Sequence, residues 1–313
     1  MTGRAVNTAT LAAIDGNDVL ETFVSGIAVG CKYALVALGF VIIFKATGVI
    51  NFAQASFVLV GAYLTYNVSQ TWGANFYVAL LAAMAAGFVL GVVLEELLLR
   101  RLIGEAPFTL IMLTIGILYV IDNVVTAVWG PDNLNLGDPW GIRTVEGGGI
   151  TVAVRDLWTM GLTAAVLAAF FLFFRYSKLG LAMRATALDQ EVALAQGISA
   201  RSVFMVSWGI AGAVAALAGA TLAAGNVALQ PGVGLIALVA FPAMILGGLE
   251  SPLGAVVGGL IIGLVQQFTS LLAPRYFDWV GPSFEQVSPY LVMVVILLVR
   301  PYGLFGTKEV RRV

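Results

Sequence analysis

Long apolar runs alternate with short polar stretches along the chain, and the length of each run is read against the length of a bilayer crossing. The runs cover residues 23–44, 52–66, 76–99, 108–128, 157–174, 203–224, 235–247, 253–272 and 290–299. A bilayer crossing takes roughly 20 residues, so the pattern predicts an all-α polytopic transmembrane bundle of about nine spans, with roughly eight to ten allowed. All of residues 1–313 then form a single membrane domain. The second, seventh and ninth runs are short. The ninth can borrow flanking residues. The second or the seventh is expected to be a broken or re-entrant helix, tolerated at membrane depth only where protein or a water-filled path surrounds it. Residues 1–20 are polar and hold Asp15 and Asp18, so no cleavable signal peptide is expected.

The polar stretches divide by charge. One alternate set of loops carries Lys45, Arg100, Arg101, Arg175, Lys178, Arg184, Arg201, Arg300, Lys308, Arg311 and Arg312; the other carries Arg4, Arg143, Arg155 and Arg275. Basic loops stay cytoplasmic, which puts the N-terminus outside and the C-terminus inside. Residues 129–156 then form an extracytoplasmic loop. Alternating β-branched residues on both sides of Gly147-Gly148-Gly149 predict a β-hairpin there. Residues 175–202 form a cytoplasmic loop with the composition of a water-exposed amphipathic helix.

Composition narrows the function. The 313 residues are 60% hydrophobic and 11% charged, against roughly 25% charged in soluble domains. Such a chain cannot cover a water-facing surface, which excludes a soluble enzyme. The 36 glycines suit closely packed membrane helices. Histidine is absent, removing the usual general base and metal ligand, and one cysteine, Cys31, excludes an internal disulfide. No catalytic set and no metal site are expected. A net charge of −1 gives no sign of nucleic-acid binding. No Gly-x-x-x-x-Gly-Lys-[Ser/Thr] loop occurs, so this chain is expected to bind no ATP of its own.

Three stretches carry more specific information. Asn51 and Gln54 open the second run three residues apart, where a helix places them on one face; capping that helix or bonding a neighbour is the plain reading. Residues 47–55, Thr-Gly-Val-Ile-Asn-Phe-Ala-Gln-Ala, resemble the Thr-Gly-x-Ile-Asn-Phe-Ala-x-Gly signature of permease subunits of branched-chain amino acid ABC importers. Gln54 stands where that family often has His, and Ala55 where it usually has Gly. Residues 191–197, Glu-Val-Ala-Leu-Ala-Gln-Gly, are similar to the Glu-Ala-Ala-x-x-x-Gly coupling loop of ABC importer permeases. Residues 246–259 resemble the family's late glycine-rich segment, where Gly254/Gly258 and Gly259/Gly263 are small-xxx-small pairs suited to helix packing.

The resemblance implies a pore-forming permease subunit of an ATP-driven importer for branched-chain or related small amino acids, working by alternating access in a bacterial plasma membrane. It implies a second permease subunit as heterodimer partner, two cytoplasmic ATPases that hold ATP and Mg, and an extracytoplasmic substrate-binding protein. Asn51, Phe52 and Gln54 would belong to the translocation path or gate. Arg184, Asp189, Glu191, Ala193 and Gly197 would form the ATPase-coupling segment. Ala193 and Ala195 are expected to leave a smooth helix surface for the ATPase, with Gly197 ending the helix. A permease for urea or short amides, from the same superfamily, is the alternative, as is a secondary transporter working alone.

Lys32 and Asp122 are the charges set deep inside spans, where a bare charge costs about 3 kcal/mol or more. Their depths nearly match, which predicts an intramembrane ion pair; a path-lining or snorkelling Lys32 are the alternatives, and a lone carrier would use the two as its ion site. Glu95 and Glu96 are expected on a solvated helix end, and Gln266 and Gln267 are expected to bond between helices.

Overall fold

A computed structural model describes residues 14–102, 105–276, 279, 281 and 283–306. The chain runs α1 (Gly16–Thr47), α2 (Gln54–Tyr66), α3 (Phe76–Leu97) and α4 (Pro107–Trp129), then β1 (Leu134–Gly137), β2 (Thr144–Gly147) and β3 (Ile150–Ala153). It continues through α5 (Val154–Tyr176), α6 (Lys178–Leu188), α7 (Gln190–Ala195), α8 (Ala200–Ala223), β4 (Gly225–Leu229), α9 (Ala240–Gly247), α10 (Pro252–Tyr276) and α11 (Phe284–Val299). Each apolar run falls on helix. Among the described residues six helices, α1, α3, α4, α5, α8 and α10, are long and apolar enough to cross a membrane. The short runs resolve in three ways. The second gains a π-helical turn over Asn67–Thr71 beyond α2. The seventh is a 3-10 helix, Val233–Val239, that passes into α9. The ninth extends back to Phe284. The molecule is a polytopic helical bundle.

Side-chain size decides which helices are central. Lipid is as apolar as a leucine side chain, so membrane helices associate through close contact rather than hydrophobic transfer. α8 presents Ala211, Gly212, Ala215, Ala216 and Gly219. An added Cβ on Gly212 would run into the Gly87 carbonyl of α3, and one on Gly219 into the Val58 carbonyl of α2. Gly61 of α2 lies as close to Ala216. α8 is therefore clasped between α2 and α3. The α10 glycines serve two faces: Gly254 and Gly258 lie on Gly247 and Ala243 of α9, while Gly259 and Gly263 lie on Ala34 and Gly30 of α1. The result is a sharp division. The apolar windows of α1 and α8 are 78% buried, while those of α4 and α5 are 17% buried.

The two ends of the bundle differ. At one end β2 and β3 pair antiparallel, from Thr144 with Ala153 to Gly147 with Ile150, turning through Gly148 and Gly149, both at positive φ. The Thr151 amide donates to the Glu21 carboxylate at 2.6 Å, tying this hairpin to the first turns of α1. β1 pairs with β4, with Leu134 opposite Leu229; the local hydrophobic pattern gives no sign of this long-range ladder. At the other end lie α6 and α7. Of the residues used to read orientation, Arg4, Lys308, Arg311 and Arg312 lie outside the described residues, as do residues 1–13 of the segment read for a signal peptide.

Candidate functional site

α1 stops at Gly48, whose φ of 72° only a residue without Cβ adopts freely. The chain then turns before α2, and its backbone groups must be satisfied by protein. The Asn51 Oδ1 accepts from the Ala53 amide at 2.9 Å. The Phe52 amide donates to Thr114 Oγ1 of α4 at 3.2 Å. The Gln54 Nε2 donates to the Ala211 carbonyl of α8 at 3.3 Å, and its amide occupies the space that a side chain on Gly39 of α1 would fill. Gln54 thus joins α1, α2 and α8. The Phe52 ring stacks on Phe241 of α9 with centroids 5.4 Å apart, and Phe241 meets Phe40 of α1 edge-on at 4.9 Å. Gly234 of the 3-10 helix lies against the Ala55 carbonyl. The two irregular segments of the fold therefore touch each other.

This placement gives two of the three motif residues a part in holding the fold. Gln54 is fully buried and Asn51 is 1% exposed, so both side chains hold the turn. Phe52 is half-buried, and of the three it alone keeps appreciable surface.

Toward the α6–α7 end a cavity of about 480 Å³ lies beneath the turn. Its wall includes Asn51, Glu95 of α3, Thr114 of α4, Phe204 and Trp208 of α8, and Gln190 of α7. Glu95 was not expected here. Its neighbour Glu96 is solvated and pairs with Arg100 at 3.4 Å and with Arg201. Glu95 is 1% exposed. The signal was in the sequence: Ala79, Ala83, Gly87, Gly91 and Glu95 recur every fourth residue and are all buried. Gly87 and Gly91 of this stripe meet α8.

Residues 175–202 contain two helices rather than one. Ser177 starts α6 by accepting from the Gly180 amide at 2.8 Å. Asp189, with φ −157° and ψ 109°, breaks the helix. Its Oδ1 caps α7 by accepting from the Val192 amide at 3.0 Å. Gly197, at φ 83°, ends α7; the Gly197 amide donates to the Leu194 carbonyl at 2.9 Å and the Ile198 amide to the Ala193 carbonyl at 3.0 Å. Of the two alanines expected to form a smooth outer surface, Ala195 is exposed but Ala193 is turned inward. Ala193 is 4% exposed, whereas Leu188, Val192 and Leu194 are 89%, 56% and 50% exposed. In a helix of six residues the capping geometry sets which face turns inward, and it turns Ala193 to the chain. Arg184 is used internally: it donates to the Arg175 carbonyl at 3.2 Å and lies over the Phe174 ring. Glu191 is exposed.

Lys32 and Asp122 do not form the expected pair. The Asp122 Oδ1 accepts from the Gly232 amide at 3.2 Å and fixes the turn before the 3-10 helix. The charges that act on Lys32 are Asp156 and Arg155 at the head of α5. Contact needs the azimuth of each helix as well as depth, and one sequence does not give azimuth. α1 packs against α10, α8, α5 and α9, while the main neighbour of α4 is α2. Gln266 does bond between helices, accepting from the Tyr33 hydroxyl at 2.6 Å.

Comparison with known proteins gives consistent relatives. The model of a family described as branched-chain amino acid transport system permease component matches residues 22–299. The chain is 27% identical to the high-affinity branched-chain amino acid transport system permease protein LivH of Salmonella typhimurium, over 94% of this chain and 97% of that one. It is 28% identical to BraD of Pseudomonas aeruginosa, a permease of the same description, over 94% and 98%. A probable branched-chain amino acid transport permease protein LivH of Methanocaldococcus jannaschii is 27% identical over 89% and 90%.

Proposed function

The chain belongs to the family of branched-chain amino acid transport system permease components, and from that premise we propose how it works and what it carries. It is the membrane-embedded permease subunit of an ABC importer, and hydrolysis is not its own chemistry. Its cargo is a small amino acid with a branched apolar side chain. It crosses a bacterial plasma membrane about nine times, at roughly 20 residues per span, with the N-terminus outside and the α6–α7 end in the cytoplasm. The lysines and arginines of that end support this orientation. A second permease completes the pore, two cytoplasmic ATPases bind and hydrolyse ATP with Mg, and an extracytoplasmic protein delivers the substrate.

The observation that carries this reading is the build of α7. Its start is fixed by Asp189 and its end by Gly197. Its apolar side chains Val192 and Leu194, with Leu188 at the end of α6, point away from the chain. An exposed apolar patch on a charged surface suits a protein partner. Closure of the ATPases would press this patch, and the push would pass through residues 196–199 into α8. Because α8 carries Ala211, the partner of Gln54, movement of α8 reaches the turn and the Phe52–Phe241 stack. A carrier working alone has no need of such a patch, and its proposed Lys32–Asp122 site is not assembled.

Reconstitution in proteoliposomes tests the reading. With the second permease, both ATPases and the binding protein present, ATP should drive uptake of labelled leucine, isoleucine or valine. Urea and acetamide should not compete. Uptake of urea in place of the amino acids would overturn the cargo, and uptake without ATPases would overturn the mechanism.

A further inference from the structure

The cavity beneath the Asn51 turn holds buried polar groups that the fold leaves unused. Both carboxylate oxygens of Glu95, the Asn51 Nδ2 and the Trp208 Nε1 are buried without a hydrogen-bond partner. The nearby cations are engaged elsewhere, since Arg100 and Arg201 pair with Glu96. The other hydroxyls in the wall are satisfied: Thr47 donates to the Ile43 carbonyl and Thr114 to the Ile111 carbonyl. A buried carboxylate without a counter-charge is strongly unfavourable, and orphaned donors beside it add to the penalty. Unsatisfied buried groups are rare in native proteins and call for a partner or a role.

The set of groups selects the ligand. A bare metal cation would gain the Glu95 carboxylate, with Glu105 at the exposed edge of the same wall, but would face the N–H groups of Asn51 and Trp208, which repel it. An anion would find the two N–H donors but would meet Glu95. A zwitterion satisfies both. Its ammonium group takes Glu95 and its carboxylate takes the Asn51 and Trp208 donors, while an apolar side chain rests on the aliphatic and aromatic remainder of the wall. The polar atoms are recessed, so the ligand engages them after side-chain rotation. A volume of about 480 Å³ admits such a molecule.

We propose that this cavity is an amino-acid-binding site on the permease itself, with Glu95 as the ammonium ligand and Asn51 and Trp208 as carboxylate donors. The preference for an apolar side chain rests on the cargo reading above. Gln190 lines the same cavity, so the site lies directly behind the docking segment α7.

The test is equilibrium binding of tritiated leucine to the detergent-purified importer without its binding protein. Saturable binding is expected, weakened at least tenfold by Glu95→Gln and several-fold by Trp208→Phe, which removes the N–H while keeping a smaller aromatic ring. Leucinamide and 4-methylpentanoate, each carrying half of the charge pair, should compete far less well than valine. Two results overturn the proposal: no saturable binding by an importer that takes up leucine through its binding protein, or binding unchanged in Trp208→Phe and in any folded Glu95 variant. The second result would place bound leucine elsewhere in the pore. An importer that binds leucine at Glu95 but transports none would instead sink the cargo reading and leave the site standing.

Discussion

The chain interrupts its helices between α1 and α2 and again between α6 and α7, and the two interruptions are built on opposite principles. The first lies among buried residues, and protein supplies its missing partners: Asn51 caps Ala53, Thr114 of α4 accepts from Phe52, and Gln54 reaches Ala211 of α8. The second rests on one side chain, Asp189, beside a residue that is 89% exposed. Where water is absent, an unpaired backbone group costs several kcal/mol, roughly, so a break must be supported from several helices at once. Where water reaches the backbone, a break costs little and leaves apolar side chains free to meet a partner. Substitutions near the first break should therefore act on assembly, and those near the second on coupling.

The largest effect is expected where the first region is packed. Gly61→Leu drives a side chain into the backbone of α8 at Ala216. Overpacking of this kind costs about 3 kcal/mol or more where nothing can shift. Fluorescence-detected size-exclusion chromatography of the extracted protein should show loss of the folded peak. A monodisperse peak of normal height would show that α2 and α8 are not in close contact.

A smaller effect is expected in the second region. Gly197→Ala places a Cβ at φ 83°, at about 1 kcal/mol. A Cβ there meets nothing within 4 Å. Yield and melting temperature of the assembled importer should change little, while uptake per ATP hydrolysed falls. Equal losses in melting temperature and uptake would erase the contrast between the two breaks.

The smallest effect sharpens the account of the membrane charges. Because Asp122 serves Gly232 and Lys32 lies under the influence of Asp156, Lys32→Met and Asp122→Asn should act independently. Their effects on thermal stability should add to within about 0.5 kcal/mol. Rescue of either single change by the double would restore the ion pair.

These results also separate what the sequence reveals from what it hides. The helices were legible because a membrane span announces itself through an unbroken apolar run, and α3, α4 and α8 begin and end within a few residues of theirs. The hairpin strands β2 and β3 are local, and their signals are the alternation of β-branched residues and the glycine turn between them. The β1–β4 ladder joins residues far apart in the chain, and no local pattern encodes it. The Lys32–Asp122 expectation used depth alone, whereas contact also needs the rotation of each helix about its axis. Glu95 could have been read from the four-residue stripe it shares with Gly87 and Gly91, which outweighs its nearness to a helix end. The break at Asp189 is not legible, because a polar residue in an amphipathic segment looks the same whether it faces water or caps a new helix.

The claim that the corner between α6 and α7 carries the ATPase contact is tested most directly by Leu188→Asp combined with Val192→Asp, measured as leucine uptake and ATP hydrolysis in the same proteoliposomes. Both side chains are exposed in this chain, so the account predicts a permease of unchanged melting temperature whose binding-protein-stimulated hydrolysis and uptake fall at least tenfold. Full ATP-dependent uptake by the double variant would contradict it.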